Sequence, residues 1–386
     1  MKKVVFLINS LASGGAEKVM TVIISKLIKD GFDVELICLE SNIFYELPKG
    51  AKLTFLNHTA NKSGLRKLFE LPYLAFKLKN YIDKNNINLI QSHVYRANYV
   101  NLLAKLFGSN HIAQIVNVGA ISRYFEEGLS GKVNLFLIKN LYKRADLIIS
   151  KAEGMQNDMQ KLFNFRNSKT IINNPYDISL INNLKHESIE EFKFNKEKKY
   201  LISIGRFETF KRQDYIIKAL SKLDDNVELI LIGDGPNKKN LELLAKNLNI
   251  YERVHFLGRV KNPYKFIFRS DIFILSSDDG EGFPNVLVES MICGTVVISS
   301  DCISGPREIL APNTNIKYQE KEKFEIAEYG ILYPKSNILE MVKAIDFLFN
   351  DEKLMKTFIE KAQKRSNDFS VNQIVEQYKN VLRISK

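Results

Sequence analysis

The chain has 386 residues, 45% of them hydrophobic and 26% charged, a globular composition too long for one ordinary core, so two domains are the first expectation. No apolar run approaches the roughly 20 residues of a membrane-spanning helix, and Cys38, Cys293 and Cys302 match neither a zinc spacing nor a disulfide framework. A reducing, cytoplasmic setting follows. Net charge is +12, and it is one-sided: residues 1–175 carry 24 Lys and Arg against 13 Asp and Glu, or +11, which leaves 32 against 31, or +1, for the rest. A basic half-chain of this kind suits nucleic acid or an anionic membrane, against the plainer reading of a solubility charge.

In chain order, short apolar runs alternate with amphipathic segments. Val4 to Asn9 reads as a strand, Ala16 to Lys29 as a helix and Val34 to Leu39 as a strand, with further strands at Leu89 to Ser92, Ile112 to Val116 and Leu147 to Ser150. The order restarts with Tyr200 to Ile204, Gln213 to Leu223, Val227 to Ile232, Leu241 to Leu248, Val254 to Leu257 and Ile272 to Leu275. Repeated βα alternation predicts two α/β domains with parallel sheets. The polar stretch from Asn173 to Lys199, with Pro175 and clustered Asn, places the boundary at 1–175 and 176–386. Ile338 to Phe349, Glu352 to Ser366 and Val371 to Ile384 read as terminal helices of the second domain.

Ligands in such sheets sit at the carboxyl ends of strands, and three motifs fall there. Ser10 to Lys18, SLASGGAEK, follows the first strand; Gly14 and Gly15 allow close backbone approach, and helix-start amides receive phosphate or sugar oxygens. A plain tight turn is the alternative. Ser203 to Arg212, SIGRFETFKR, sets the Arg206 guanidinium and Lys211 ammonium on one loop, suited to clamp a pyrophosphate, or else forms a solvated basic loop. The third motif is Asp278 to Gly294, DDGEGFPNVLVESMICG. With Pro284 at the first helical position, Glu281 lies in the approach loop and Glu289 in the early turns, where carboxylates accept from sugar and ribose hydroxyls.

This constellation resembles the retaining glycosyltransferases of family 4, whose signature is two glutamates separated by seven residues, here Glu281 and Glu289. GGAEK, the loop bearing Arg206 and Lys211, IGDGP at 232–236, FLGRV at 256–260 and SGPREI at 304–309 extend the likeness along the chain. The resemblance implies a GT-B fold, two Rossmann-like domains facing each other across a cleft, with C-terminal helices. It also implies roles: Arg206 and Lys211 on the diphosphate, Glu281 on the donor sugar, Glu289 on the ribose, and Gly14 and Gly15 on the opposite wall. Gly258, Arg259, Gly282, Phe283, Asn285 and Val286 complete the implied nucleotide-sugar site. Many relatives carry a histidine where this chain has Gly119, so His93 becomes the acceptor-side candidate, against a merely structural histidine.

The segments FYELPKGAKLTFLN and FELPYLAFKLKNYI also resemble enzymes that extend undecaprenyl diphosphate-linked sugars, some of which transfer N-acetylgalactosamine. The implied partners are a nucleotide sugar, probed first as UDP-linked, a lipid-linked glycan and an anionic membrane on its cytoplasmic face. No cofactor is implied, and with no Asp-x-Asp pair no metal site is expected. Nucleic acid is not expected either, because no recognition module is evident. The competing readings are a nucleotide-sugar epimerase of the same fold and a non-catalytic nucleotide-sugar-binding protein.

Overall fold

A computed structural model describes residues 3–12, 14–57 and 64–383; Ser13 of the first glycine motif and Ile384 of the last helical segment lie outside the described residues. The chain forms two compact units. In the first, β1 (Lys3–Ile8), β2 (Asp33–Cys38), β3 (Lys52–Phe55), β4 (Leu89–His93), β5 (Ile112–Asn117), β6 (Leu147–Ser150) and β7 (Ser168–Ile171) form one parallel sheet in the order β3-β2-β1-β4-β5-β6-β7. The central strands are buried on both faces, so β1 reads as a continuous apolar run instead of an alternating one, and β4 buries the polar Gln91, Ser92 and His93.

The second unit repeats the plan. Its strands are β8 (Lys199–Ile204), β9 (Val227–Ile232), β10 (Val254–Gly258), β11 (Ile272–Leu275), β12 (Val296–Ser300), β13 (Glu325–Ile326) and β14 (Ile331–Tyr333). They lie in the order β10-β9-β8-β11-β12-β14-β13, all parallel except the short β13. Leu201, Leu229, Ile272 and Ile298 of this sheet share a core with Ile216, Leu241, Met341 and Ile345 from covering helices. Both units are Rossmann-like.

The last helix departs from expectation. Val371–Leu382 packs with the first unit, which comprises residues up to Tyr176 together with those from Ser370, while the second unit runs from Asp177 to Phe369. The expected second domain, 176–386, is therefore corrected over its terminal helix. Apolar residues Ile374, Val375, Tyr378 and Leu382 join a core with Val4, Phe6, Ile8 and Leu36. Lys379 lies 2.5 Å from Asp30, and the Gln114 amide donates to the Val381 carbonyl at 2.8 Å. Periodicity showed a helix with one apolar face, but not which sheet that face covers.

Beneath this helix sits Lys151, 2% exposed, its ammonium 4.9 Å from the Tyr378 ring centroid and donating to the Tyr378 hydroxyl. Burial pushes its pKa down to about 7, from 10.5. Between those values the unfolded chain holds a proton that the folded chain has released, so stability rises with pH across that window. Replacing Lys151 by Met is expected to flatten this rise and to stabilise the protein below pH 7 by a few kcal/mol, roughly the worth of that displacement. Urea unfolding of both proteins at pH 6 and pH 9 checks it; parallel profiles would contradict it.

Candidate active site

Strand order in the second unit reverses between β8 and β11. Loops leaving the carboxyl ends of strands at such a point run apart and leave space for a ligand. The β8 loop carries Arg206 and Lys211, and the β11 loop carries Glu281, so the fold brings two separate motifs together. Lys211 Nζ lies 2.5 Å from Glu281 Oε1, and the Ser277 hydroxyl donates to the same oxygen. Two further bonds join the loops: Ser276 Oγ donates to the Lys211 carbonyl, and the Asp278 amide to the Phe210 carbonyl, both at 2.8 Å.

Glu281 is 7% exposed and Glu289 5%, the latter in the helix Asn285–Cys293. Pro284 is the cap residue, with extended backbone, and not the first helical residue that the sequence suggested. Asn285 and Val286 open the helix, half-buried. Phe283 packs edge-on against Phe369 at 5.4 Å, and the Gly282 carbonyl accepts from Ser304 Oγ at 2.9 Å. Gly305 closes over this turn with φ 92°; a Cβ there would lie 2.3 Å from Pro284 Cδ, so only glycine fits. The Cys302 thiol is held well above its usual range, first by burial and then by the charges of Glu281, Asp279 and Asp301, so it stays protonated.

Arg206 is placed differently from Lys211. Its side chain is 69% exposed and pairs with Glu208 at 2.7 Å. The loop beneath it is clamped to the β9 turn: the Gly205 amide donates to the Ile232 carbonyl, the Phe207 amide to the Asp234 carbonyl, and the Asn237 amide to the Phe207 carbonyl, at 3.0 to 3.1 Å. Gly233 permits this approach, since a Cβ there would lie 1.9 Å from the Gly205 carbonyl oxygen at φ 147°. The IGDGP turn thus supports the Arg206 loop, a role the motif did not disclose. Gly258, at φ 68°, accepts from the Gly233 amide at 2.8 Å, and Arg259 stands a loose 3.9 Å from Asp234.

In the first unit, Gly14 caps the helix Gly15–Lys29, but the Glu17 carboxyl folds back over it: a Cβ on Gly14 would meet Glu17 Oε2 at 2.1 Å. Burial raises the Glu17 pKa. The turn expected to receive phosphate or sugar oxygens therefore carries the helix's own carboxyl beside Gly14. His93 corrects another expectation. It is 1% exposed, between the rings of Phe6 and Tyr378, with Gln91 Oε1 at 3.1 Å from its Nε2. Burial first, then the Lys151 charge, hold its pKa well below the usual value. It is a packed, neutral core group. Beside Gly119 stands Arg123, whose Nη1 lies 3.4 Å from where a Cβ would be, stacked on Tyr95 and Tyr124.

Among the described residues, no helix is long and apolar enough to cross a membrane, and no three His, Cys, Asp or Glu are grouped to hold a metal ion. Residues 13–180 match the model of Glycosyltransferase Family 4, and residues 185–365 that of Glycosyl transferases group 1. The chain is 31% identical over 373 residues, 96% of each chain, to the Campylobacter jejuni N-acetylgalactosamine-N,N'-diacetylbacillosaminyl-diphospho-undecaprenol 4-alpha-N-acetylgalactosaminyltransferase. It is 26% identical to a second transferase of that organism, which adds N-acetylgalactosamine to a longer undecaprenol-linked glycan, over 98% of this chain and 97% of the other. Anabaena HepE in complex with UDP superposes with a TM-score of 0.74 at 22% identity, over 99% of this chain and all of that one. The lipopolysaccharide glycosyltransferase WaaG superposes with the same TM-score at 13% identity, over 98% and 99% of the two chains. Two Rossmann-like units, each matched by a glycosyltransferase model, and a relative alike along nearly its whole length show that the chain belongs to the glycosyltransferases of family 4 and group 1, with the GT-B fold.

Proposed function

We propose that the chain moves N-acetylgalactosamine, or a related hexose, from a UDP-sugar onto a polyprenyl diphosphate-linked glycan, with retention of anomeric configuration. The observation that carries this reading is the meeting of Lys211 with Glu281 at the β8 and β11 loop ends, with Glu289 buried in the following helix. The names of the two Campylobacter relatives support the sugar and the lipid-linked acceptor, and the UDP complex of HepE supports the nucleotide. In this reading Arg206, Lys211 and the amides opening Asn285–Cys293 stabilise the departing diphosphate, which needs no divalent ion. Glu281 orients the donor sugar and Glu289 accepts from the ribose hydroxyls. The departing phosphate oxygen helps deprotonate the acceptor hydroxyl.

Dividing the work between the glutamates makes a direct test. Glu289→Gln is expected to weaken UDP binding about 10-fold or more, on the scale of a lost hydrogen bond to a charged group, whereas Glu281→Gln leaves UDP affinity near wild type and lowers turnover with the UDP-sugar. Isothermal calorimetry with UDP reads the first and steady-state rates the second. Unchanged UDP affinity in Glu289→Gln would remove the ribose assignment.

A lipid-linked acceptor requires work at a membrane surface, which this reading places on the cytoplasmic leaflet. The basic segment Leu65 to Lys84 forms two helices, Gly64–Phe69 and Leu71–Asn85. Leu74 and Leu78 of these helices are core residues, while Phe69, Tyr73 and Phe76 are exposed. Lys77 donates to the Leu56 carbonyl at 2.9 Å and Lys79 pairs with Asp83 at 2.6 Å, while Lys84 is exposed. Docking then rests on exposed rings beside basic residues. Changing Phe69 and Phe76 to Ser is expected to lower sedimentation with anionic liposomes several-fold, with 0.5 M salt acting in the same direction at about 1 kcal/mol per cation screened. Equal binding to neutral vesicles would contradict the electrostatic part.

A further inference from the structure

Three carboxylates fall within four residues of the β11 loop, Asp278, Asp279 and Glu281, and each meets its own cation. Arg212 Nη1 lies 3.1 Å from Asp278, Lys335 pairs with Asp279, and Lys211 with Glu281. The cations come from different loops. Arg212 and Lys211 follow β8, whereas Lys335 follows β14. Neutral donors complete the hold: Ser336 Oγ reaches Asp278 at 2.8 Å, and the Ile303 amide, after β12, reaches Asp279 at 3.0 Å. Three strand-end loops therefore converge on the pair immediately before Gly280 and Glu281.

Two features bear on what this arrangement does. Arg212 and Ser336, the two side chains holding Asp278, both have left-handed backbones, at φ 52° and 63°, which costs energy outside glycine. Such conformations persist where surroundings enforce them, often near functional sites. Second, the Lys335 and Asp279 side chains are 35% and 27% exposed, and pairs this open add little to stability.

We propose that Lys335 is a positioning residue for the transfer: acting through Asp279, it fixes the loop that carries Glu281 and keeps Lys211 on Glu281. With Lys335 gone, the unmatched Asp279 competes for Lys211 and adds negative charge beside an anionic donor. This rests on the role of Glu281 proposed above.

The test is a double-mutant cycle of Lys335→Met and Glu281→Gln, with kcat and donor KM measured on the purified full chain, and unfolding temperature recorded alongside. Lys335→Met is expected to lower kcat about 10-fold, as a small misplacement does, with little change in unfolding temperature. Lys335→Arg is expected to recover most of that loss. On the Glu281→Gln background the same substitution is expected to matter less than about twofold, because the group it positions is already disabled. An equal loss on both backgrounds, or a kcat loss that follows the unfolding temperature, would overturn the positioning role while leaving Glu281 in place. Wild-type turnover in Glu281→Gln alone would instead overturn the reading of the site, and this proposal with it.

Discussion

Replacing Lys211 by alanine is expected to lower kcat by two to three orders of magnitude, about 3 to 4 kcal/mol of transition-state stabilisation, the scale of losing an oxyanion donor. Its ammonium is mostly buried and sits on Glu281, so in the proposed mechanism it is already ordered before diphosphate charge develops. Preorganised charge of this kind acts without reorganisation during bond breaking. Arg206→Ala is expected to cost a similar amount by a different route. Arg206 is exposed and rests on Glu208, so to act as proposed it has to turn toward the diphosphate, and part of its loss is expected in the donor KM. Steady-state kinetics on both variants checks this. Turnover like wild type in both would remove the cationic clamp from the mechanism.

The second large effect concerns stability. Arg307 is 3% exposed and binds Asp301, which is fully buried, through both Nε and Nη2; it also reaches Glu325 at 2.7 Å and the Thr314 hydroxyl at 3.1 Å. Burial raises the Asp301 pKa even against this guanidinium. Removing the cation strands that carboxyl, and Arg307→Ala is expected to cost about 3 to 5 kcal/mol, the usual penalty for one half of a buried pair. The loop from Cys302 to Gly305, which closes over Gly282 and Pro284, lies between the two partners, so donor binding is expected to fall as well. Urea unfolding measures the first effect; a loss below about 1 kcal/mol, as for an exposed pair, would contradict it.

Much of this was readable from sequence because strands buried on both faces leave apolar runs and because the motifs follow them. The runs Val227–Ile232, Ile272–Leu275 and Leu147–Ser150 were found to the residue. Short or edge strands were not: Lys52–Phe55 and Ser168–Ile171 carry polar residues and half-buried faces, and Glu325–Ile326 has two residues. The SGPREI segment was legible as a family mark, but the buried ion pair that explains its arginine spans the turn to Asp301. Likewise, Lys211 and Glu281 were each picked out alone; that they meet depends on β8 lying beside β11, across 70 residues of chain. His93 shows the opposite limit. Its neighbour Tyr378 arrives from the far end of the chain, and no local pattern announces that cover.

Mass spectrometry of the acceptor tests transfer to a lipid-linked glycan most directly. The purified chain is incubated with UDP-N-acetylgalactosamine and a polyprenyl diphosphate-linked oligosaccharide, with GDP- and ADP-sugars in parallel. The acceptor is expected to gain the mass of one N-acetylhexosamine while the donor releases UDP, and Lys211→Ala is expected to suppress both together. An unchanged acceptor alongside epimerised sugar nucleotide, or no product from any donor, would contradict it.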